Sequence, residues 1–268
     1  MRVLKLALLC VVLLVVGATC GCNKLRARDQ LNKGVVAFRN AQFQASIMHF
    51  KEAVRLDPTL INARLYLATA FAQQYVPGGD SEENIKIAQQ AIDAFQEVLT
   101  MDPNNVTAIA SIAQIYFNMK KFDKAKDFQR RRLQLEPNNP EPYYWIAVLD
   151  WTDCYARAGQ LRKDLKLNFA KDPKQPDRLP PLPDKARIDL EKDNGPLVKE
   201  GLDALEKAIQ LKPNDFKTMA YLNLMYRQKA ELEEDPEARE ADLKAAEDWT
   251  DKALALRKAE NAGGGGPG

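Results

Sequence analysis

A helix-like block that ends in proline recurs along this chain, and the recurrence constrains the fold more than any other feature. Asp57-Pro58 and Asp102-Pro103 end two such blocks, and Glu136-Pro137 and Lys212-Pro213 end two more with the proline kept. The residues five, four and two places before each proline are Ala53, Val54, Leu56, then Val98, Leu99, Met101, then Arg132, Leu133, Leu135, then Ala208, Ile209, Leu211. Pro103 and Pro137 lie 34 residues apart, the period of a helix–turn–helix solenoid unit. Apolar residues at i, i+3 and i+4 form the stripe that a helix buries, and small residues let two helices approach closely. Proline stops the second helix because it cannot continue the hydrogen-bond ladder. The pattern predicts stacked helix pairs in which each unit buries its stripe on its neighbour.

One unit can be followed residue by residue. From Val106 to Asn139, Ile112-Ala113 take an apolar-small position, Tyr116 an aromatic one, Phe122 opens the second helix, Ala125 is the small residue and Pro137 ends the unit. From Ala27 to Leu60 the corresponding residues are Gly34, Phe43, Ser46, Phe50, Ala53 and Pro58. These positions resemble the tetratricopeptide repeat (TPR) consensus. The resemblance implies an all-α, right-handed solenoid of about five helix–turn–helix units across residues 23–260. The repeats fall near 27–60, 61–105, 106–139, 140–215 and 216–259. Three of them carry surplus residues between helix A and helix B. In the second, Ile61 to Gln74 fits helix A, Lys86 to Met101 fits helix B, and Tyr75 to Ile85 is inserted. In the fifth, helix A fits Phe216 to Lys229, and Ala246, Ala253, Leu254 and Leu256 mark helix B. In the fourth, helix A begins near Glu141 and helix B near Leu197, which leaves an insert over about 159–195. Five of its eleven residues from Pro173 to Pro183 are proline, so that stretch is expected to be extended.

The N-terminus is of another kind. Arg2 and Lys5 precede an apolar run, Leu6 to Val16, and then GATCGC, the order of a secretory signal. Eleven apolar residues fall short of the roughly 20 that span a bilayer as a helix. Gly21-Cys22 resembles the end of a bacterial lipobox, with Thr19 where Leu is usual and Cys20 as the rival site. Residues 1–22 are therefore read as signal and lipobox, and Cys22 as the lipidated first residue of an exported protein. Asn23 after it would permit travel to the outer membrane under the sorting rules of some bacteria. An ordinary cleaved signal and an uncleaved anchor are the other readings. Lys24, Arg26 and Arg28 follow at once, either as a polar first turn or as cations against anionic headgroups. At the other end, residues 261–268 form a glycine-rich tail that is expected to be disordered, since it offers nothing to bury.

Composition narrows the chemistry. The chain has 39 Lys and Arg against 37 Asp and Glu, and loss of Arg2 and Lys5 with the signal brings the two to parity. A neutral chain gives no electrostatic footprint for nucleic acid. With Cys10 removed and Cys22 lipidated, Cys154 is left without a disulfide partner, so stability has to come from stacking. The only histidine, His49, stands among Ile47, Met48 and Phe50 on a helix, as packed or solvated residues do. There is no cysteine–histidine metal spacing and no phosphate-binding glycine loop, and carboxylates occur as helix-surface pairs with Lys and Arg. The expectation is no enzyme, cofactor, metal or small-molecule substrate.

Binding remains. In the resembled family the helix A faces line a concave groove that receives a partner's peptide or helix. Carried over by position, that groove would present Leu65, Thr69 and Gln73, then Gln114, Phe117 and Asn118. Tyr144, Val148 and Trp151 come next, followed by Leu224, Arg227 and Gln228. Leu31 and Val35 occupy places where a carboxylate-clamping subclass has polar residues, which argues against such a clamp. Tyr144 and Trp151 are the aromatic anchors of this set, unless the segment packs on the insert through Leu179 and Leu182. The sequence thus predicts a lipid-anchored scaffold in the bacterial cell envelope, facing the periplasm, that binds other proteins. The alternatives are a pilotin-like component of an outer-membrane or pilus assembly machine and a non-catalytic subunit of an envelope enzyme complex.

Overall fold

In the computed structural model, which describes residues 22–167 and 179–263, the four proline turns close alike. The N–H of the residue before each proline donates back into the helix it ends. Asp57 donates to the Ala53 carbonyl at 3.0 Å, and Asp102, Glu136 and Lys212 donate to the Val98, Arg132 and Ala208 carbonyls, each at 2.9 Å. Three residues later a second bond shuts a β-turn that has proline at its second position. Its donors and acceptors are Leu60 to Asp57 (3.1 Å), Asn105 to Asp102 (3.1 Å), Asn139 to Glu136 (3.0 Å) and Asp215 to Lys212 (3.2 Å). The residue that closes the turn also starts the next helix. Asn105, Asn139 and Asp215 accept from the N–H of Ala108, Glu141 and Thr218 at 3.1, 3.0 and 3.1 Å, so each caps a helix with its side chain. Leu60, at the same place in the first turn, makes no side-chain cap bond.

Among the described residues all regular structure is helical. Helix α1 covers residues 22–39, followed by α2 (Phe43–Leu56), α3 (Ile61–Ala72), α4 (Glu82–Met101) and α5 (Val106–Asn118). Then come α6 (Phe122–Leu135), α7 (Pro140–Asp164), α8 (Asp184–Leu211), α9 (Phe216–Leu232) and α10 (Pro236–Gly263). The chain divides into a unit up to Phe128 and a unit from Gln129. In the first, α2 packs on α3, α3 on α4 and α4 on α5. In the second, α7 packs on α8, α8 on α9 and α9 on α10, and α7 also meets α9, so the A helices of the last two repeats lie side by side.

Small residues set how closely the hairpins approach. A Cβ added at Gly34 of α1 would run into the ring of Phe50, which is fully buried on α2. At Gly201 of α8 the obstacle would be the terminal methyl of Met225 on α9. Around the first contact Ile47, Phe50 and Ala70 form a core flanked by Leu31, Val35, Phe38, Leu67 and Phe71. The second unit has a larger core that joins Ile146, Ala147, Cys154 and Ala158 of α7 to Leu190, Val198 and Leu205 of α8 and Leu222 and Met225 of α9. Ile112, Ala113, Tyr116 and Ala125, the positions that carry the family resemblance, are all buried.

The surplus residues depart from expectation in an instructive way, because most of them extend helices. In the second repeat α4 starts at Glu82, four residues before the expected Lys86, where Ser81 caps it by accepting from Asn84 N–H at 3.2 Å. The buried Asn84 side chain holds the remaining loop through Val76 N–H, Val76 O and Gly79 O, each at 2.8 Å. In the fifth repeat the surplus is absorbed into α10, which starts at Pro236 behind a cap by Asp235 and continues to Gly263, past the expected start of the tail. In the fourth, α7 runs on to Asp164 and α8 begins at Asp184, well before Leu197. Gly195-Pro196 reads as a helix boundary, yet α8 passes through it. Asn194 ties this turn to α7: its amide donates to the Cys154 carbonyl at 3.1 Å and its oxygen accepts from Arg157 at 3.2 Å. The signal segment, residues 168–178 of the insert and residues 264–268 of the tail lie outside the described residues.

What is described of the connector is tied down by arginines. Arg162, buried near the end of α7, pairs with Glu231 of α9 through Nε at 3.0 Å and through Nη2, and Nη2 also donates to the Pro180 carbonyl at 2.8 Å. Arg239 of α10 donates to the Leu179 carbonyl at 2.6 Å, and Leu182 is buried in the core. Burial pushes the Glu231 carboxyl above its ordinary range, against the opposing pull of the Arg162 guanidinium.

These contacts generate two predictions. Gly34→Ala should lower stability: pushing against a buried ring costs about 1–3 kcal/mol, and helix propensity returns about 1 kcal/mol. Gly201→Ala meets only a flexible methionine end and should be near neutral, and denaturant unfolding of both variants checks the contrast. Glu231→Leu leaves the Arg162 charge buried alone and should cost about 3–5 kcal/mol, whereas Arg162→Met with Glu231→Leu should recover most of the loss. Arg162→Met alone leaves a buried carboxyl that binds its proton more tightly folded than unfolded. Its stability should therefore be greatest at acid pH and fall as pH rises through the folded-state value, a dependence that melting curves at about pH 5 and pH 7 would expose.

Candidate protein-binding site

The contact between α7 and α9 builds an aromatic ladder. Tyr144 and Trp151 stand seven residues apart on α7, two turns along one face. Tyr221 of α9 fits between them, its ring perpendicular to both at centroid distances of 5.4 and 5.5 Å. Tyr155 stacks on Trp151 at 5.0 Å and is 58% exposed, so the ladder reaches solvent at that end. Edge-to-face rings of this kind are worth about 0.5–1.5 kcal/mol per pair beyond area burial. The Tyr144 hydroxyl is pushed up to about 12 by burial, with Tyr221 and Asp215 adding to the effect. It therefore remains a hydrogen-bond donor through the neutral range.

Two clefts adjoin these helices. One of about 370 Å³ lies at the first turns of α7 and α9, lined by Tyr144, Trp145, Glu141, Asp215, Lys217 and Thr218 among others. Its carboxylates are engaged, Glu141 by Arg132 at 2.6 Å and Asp215 by Lys212 at 2.8 Å. The other, about 470 Å³, lies between the extensions of α7 and α8 and is mostly apolar, with Leu161, Leu165, Pro183, Ala186 and Leu190 in its walls.

The residues carried over from the family pattern are distributed over both units. In the first unit Leu65, Gln114, Phe117 and Asn118 are half-buried and Gln73 is exposed. Thr69 returns its hydroxyl to the Leu65 carbonyl at 2.8 Å, and Gln114 donates to Asn118 at 3.1 Å. In the second unit Tyr144, Trp151, Leu224 and Arg227 are half-buried, and Arg227 donates to Asn223 at 2.8 Å. Val148 and Gln228 are buried at 3% and 8% exposure, so they are packing residues rather than accessible groove surface. Tyr144 and Trp151 pack on α9, and Leu182 joins the same core, so the described end of the insert lies on the protein itself. The family pattern does not point to Tyr221 or Tyr155. Tyr221 occupies helix A of the fifth repeat, and its role follows only from the α7–α9 contact. Of the residues with reactive potential, His49 accepts or donates one bond, to Gln30 at 2.8 Å, and Cys154 is buried beside the Asn194 carbonyl. Cys22 is exposed. Among the described residues no three His, Cys, Asp or Glu side chains gather as a metal site, and no helix is long and apolar enough to cross a membrane.

Comparison with known proteins agrees with this geometry. Residues 88–149 match the tetratricopeptide repeat family model. The chain is 28% identical over 115 residues to the Hsp70-Hsp90 organizing protein of Triticum aestivum, covering 43% of this chain and 18% of that protein. It is 24% identical over 188 residues to the mitochondrial import receptor subunit TOM70 of Homo sapiens, covering 68% of this chain and 28% of the relative. The match thus spans less than a third of either relative's length. Among solved structures, MamA from Desulfovibrio magneticus RS-1 superposes with a TM-score of 0.56 at 17% identity, covering 87% of this chain and 96% of that one. YrrB, described as a TPR protein with an unusual peptide-binding site, superposes with a TM-score of 0.51 at 12% identity over 85% and 90% of the two chains. The repeated proline turn, the buried small-residue positions and the match over residues 88–149 agree: the chain carries tetratricopeptide-repeat sequence there and the fold of a tetratricopeptide-repeat-like helical array.

Proposed function

We propose that this protein is a non-catalytic scaffold that holds peptide or helix segments of other proteins on its A-helix faces. The observation that carries the reading is the aromatic ladder of Tyr144, Tyr221, Trp151 and Tyr155, which two adjacent A helices build and leave open to solvent at Tyr155. Rigid aromatic side chains supply large contact area at low entropic cost and dominate many interfaces. The fold supports it too, since YrrB, which shares this architecture, carries a peptide-binding site. Attachment through an acylated Cys22 at the bacterial cell envelope completes the proposal. Its support is the charged start, the short apolar run and Gly21-Cys22, together with the exposure of Cys22 at the head of α1.

Leu224 and Arg227, the half-buried α9 residues that the family pattern assigns to the groove, suit a test that spares the core. In pull-downs from solubilised membranes, Leu224→Asp with Arg227→Glu should weaken partner capture at least tenfold with the melting temperature unchanged. Capture that survives, or that falls only in step with melting, removes this groove as the binding site. The class of protein recovered decides the setting: barrel proteins or pilins would indicate an assembly machine, and cell-wall enzymes a complex with one of them. Cys22→Ser should release the chain from membranes washed at high salt or leave it unprocessed, and intact-mass analysis of the wild type should show a lipidated Cys22.

A further inference from the structure

Helix α1 sorts its outward side chains into an apolar stripe with basic borders. At 100° per residue, Leu25, Asn32 and Val36 fall on one line along the helix. Leu25 is 71% and Val36 58% exposed. Arg39 and Arg28 stand about 40° and 60° from this line on one side, Asp29 and Lys33 about 40° and 80° from it on the other, and Lys24 and Arg26 about 100° away on either side, all of them exposed. Ala27, Gly34 and Ala37, on the opposite side, are buried. Residues 22–39 thus hold five basic side chains and one acidic one, Asp29.

The nearby carboxylates are committed elsewhere. Glu52 receives two bonds of 2.7 Å from Arg55, Asp57 receives the N–H and hydroxyl of Thr59, and Asp29 pairs with Lys33 at 2.7 Å. Lys24, Arg26, Arg28 and Arg39 have no contact ion pair among the described residues. Four exposed cations without a contact ion pair, three of them within longer-range reach of Glu52 and Asp57, stand around exposed leucine and valine and make a surface suited to a bilayer interface, where apolar side chains enter the headgroup boundary and cations meet phosphates. A second copy is disfavoured as occupant, because two such faces brought together would oppose their cations. The apolar run Leu6 to Val16 stands just ahead of this helix in the sequence.

We propose that the outward face of α1 lies on an anionic membrane surface and orients the first unit there, independently of acylation. The inference rests on the reading that the chain acts at a membrane, and it is tested on unlipidated protein starting at Asn23, with helical content verified by circular dichroism. In co-sedimentation at low salt, this protein should bind vesicles containing phosphatidylglycerol, bind pure phosphatidylcholine weakly, and release at about 0.5 M salt. Replacing Lys24, Arg28 or Arg39 by Gln should each weaken binding about fivefold, and Leu25→Ser should weaken it at constant charge. Equal binding to both vesicle types, no binding, or variants that bind like the parent would overturn the proposal. So would self-association in ultracentrifugation that Leu25→Ser abolishes, since the face would then belong to a second copy. An acylated Cys22 with no vesicle binding by the unlipidated chain would sink this inference and leave the anchor standing, and binding without acylation would do the reverse.

Discussion

The structure depends on a constraint at four short turns, where a helix must end and its successor must begin within four residues. Proline at the second turn position ends the ladder of the helix behind it, and at three of the four turns the residue two places later caps the helix ahead with its side chain. Because the same backbone bonds recur at Asp57, Asp102, Glu136 and Lys212, each new helix A leaves its predecessor by an equivalent route. Close packing follows, and the small residues have meaning only there. Gly34 admits the Phe50 ring because the turns have already brought the helices to that separation.

Much of this was legible in the sequence because it is local. Proline, the Asn or Asp that follows it, and apolar spacing act over a few residues, so the repeat starts could be read directly. The fourth and fifth repeats were harder for physical reasons. α8 runs through the boundary signal at Gly195-Pro196, where Asn194 ties it to Cys154 and Arg157, 40 and 37 residues away. Asp235-Pro236 carries a start signal of the ordinary kind, an N-cap followed by proline at the first helical position, which expectation of a regular repeat length obscured. The ladder was half legible. Tyr144 and Trp151 announce themselves by type and spacing, but Tyr221 joins them from another repeat.

The two sides of the second unit serve different ends. On the ladder side aromatic rings remain partly open, whereas at the far ends of α7 and α8 arginines reach across to backbone carbonyls and a buried carboxylate. Buried ion pairs are poor sources of net stability, but they punish misplacement severely. Arg162 therefore selects one path for the connector more than it strengthens the fold.

That selection changes what kind of object the second unit is. Repeat arrays are modular, and their units can be duplicated, lost or exchanged because each touches only its neighbours. Arg162 and Arg239 fasten residues 179 and 180 to α7 and α10 and join α7 to α9, so two repeats share one set of bonds. Neither can be copied or excised without severing the other. The proline turns are interchangeable parts, but the last two repeats are bonded into a single piece.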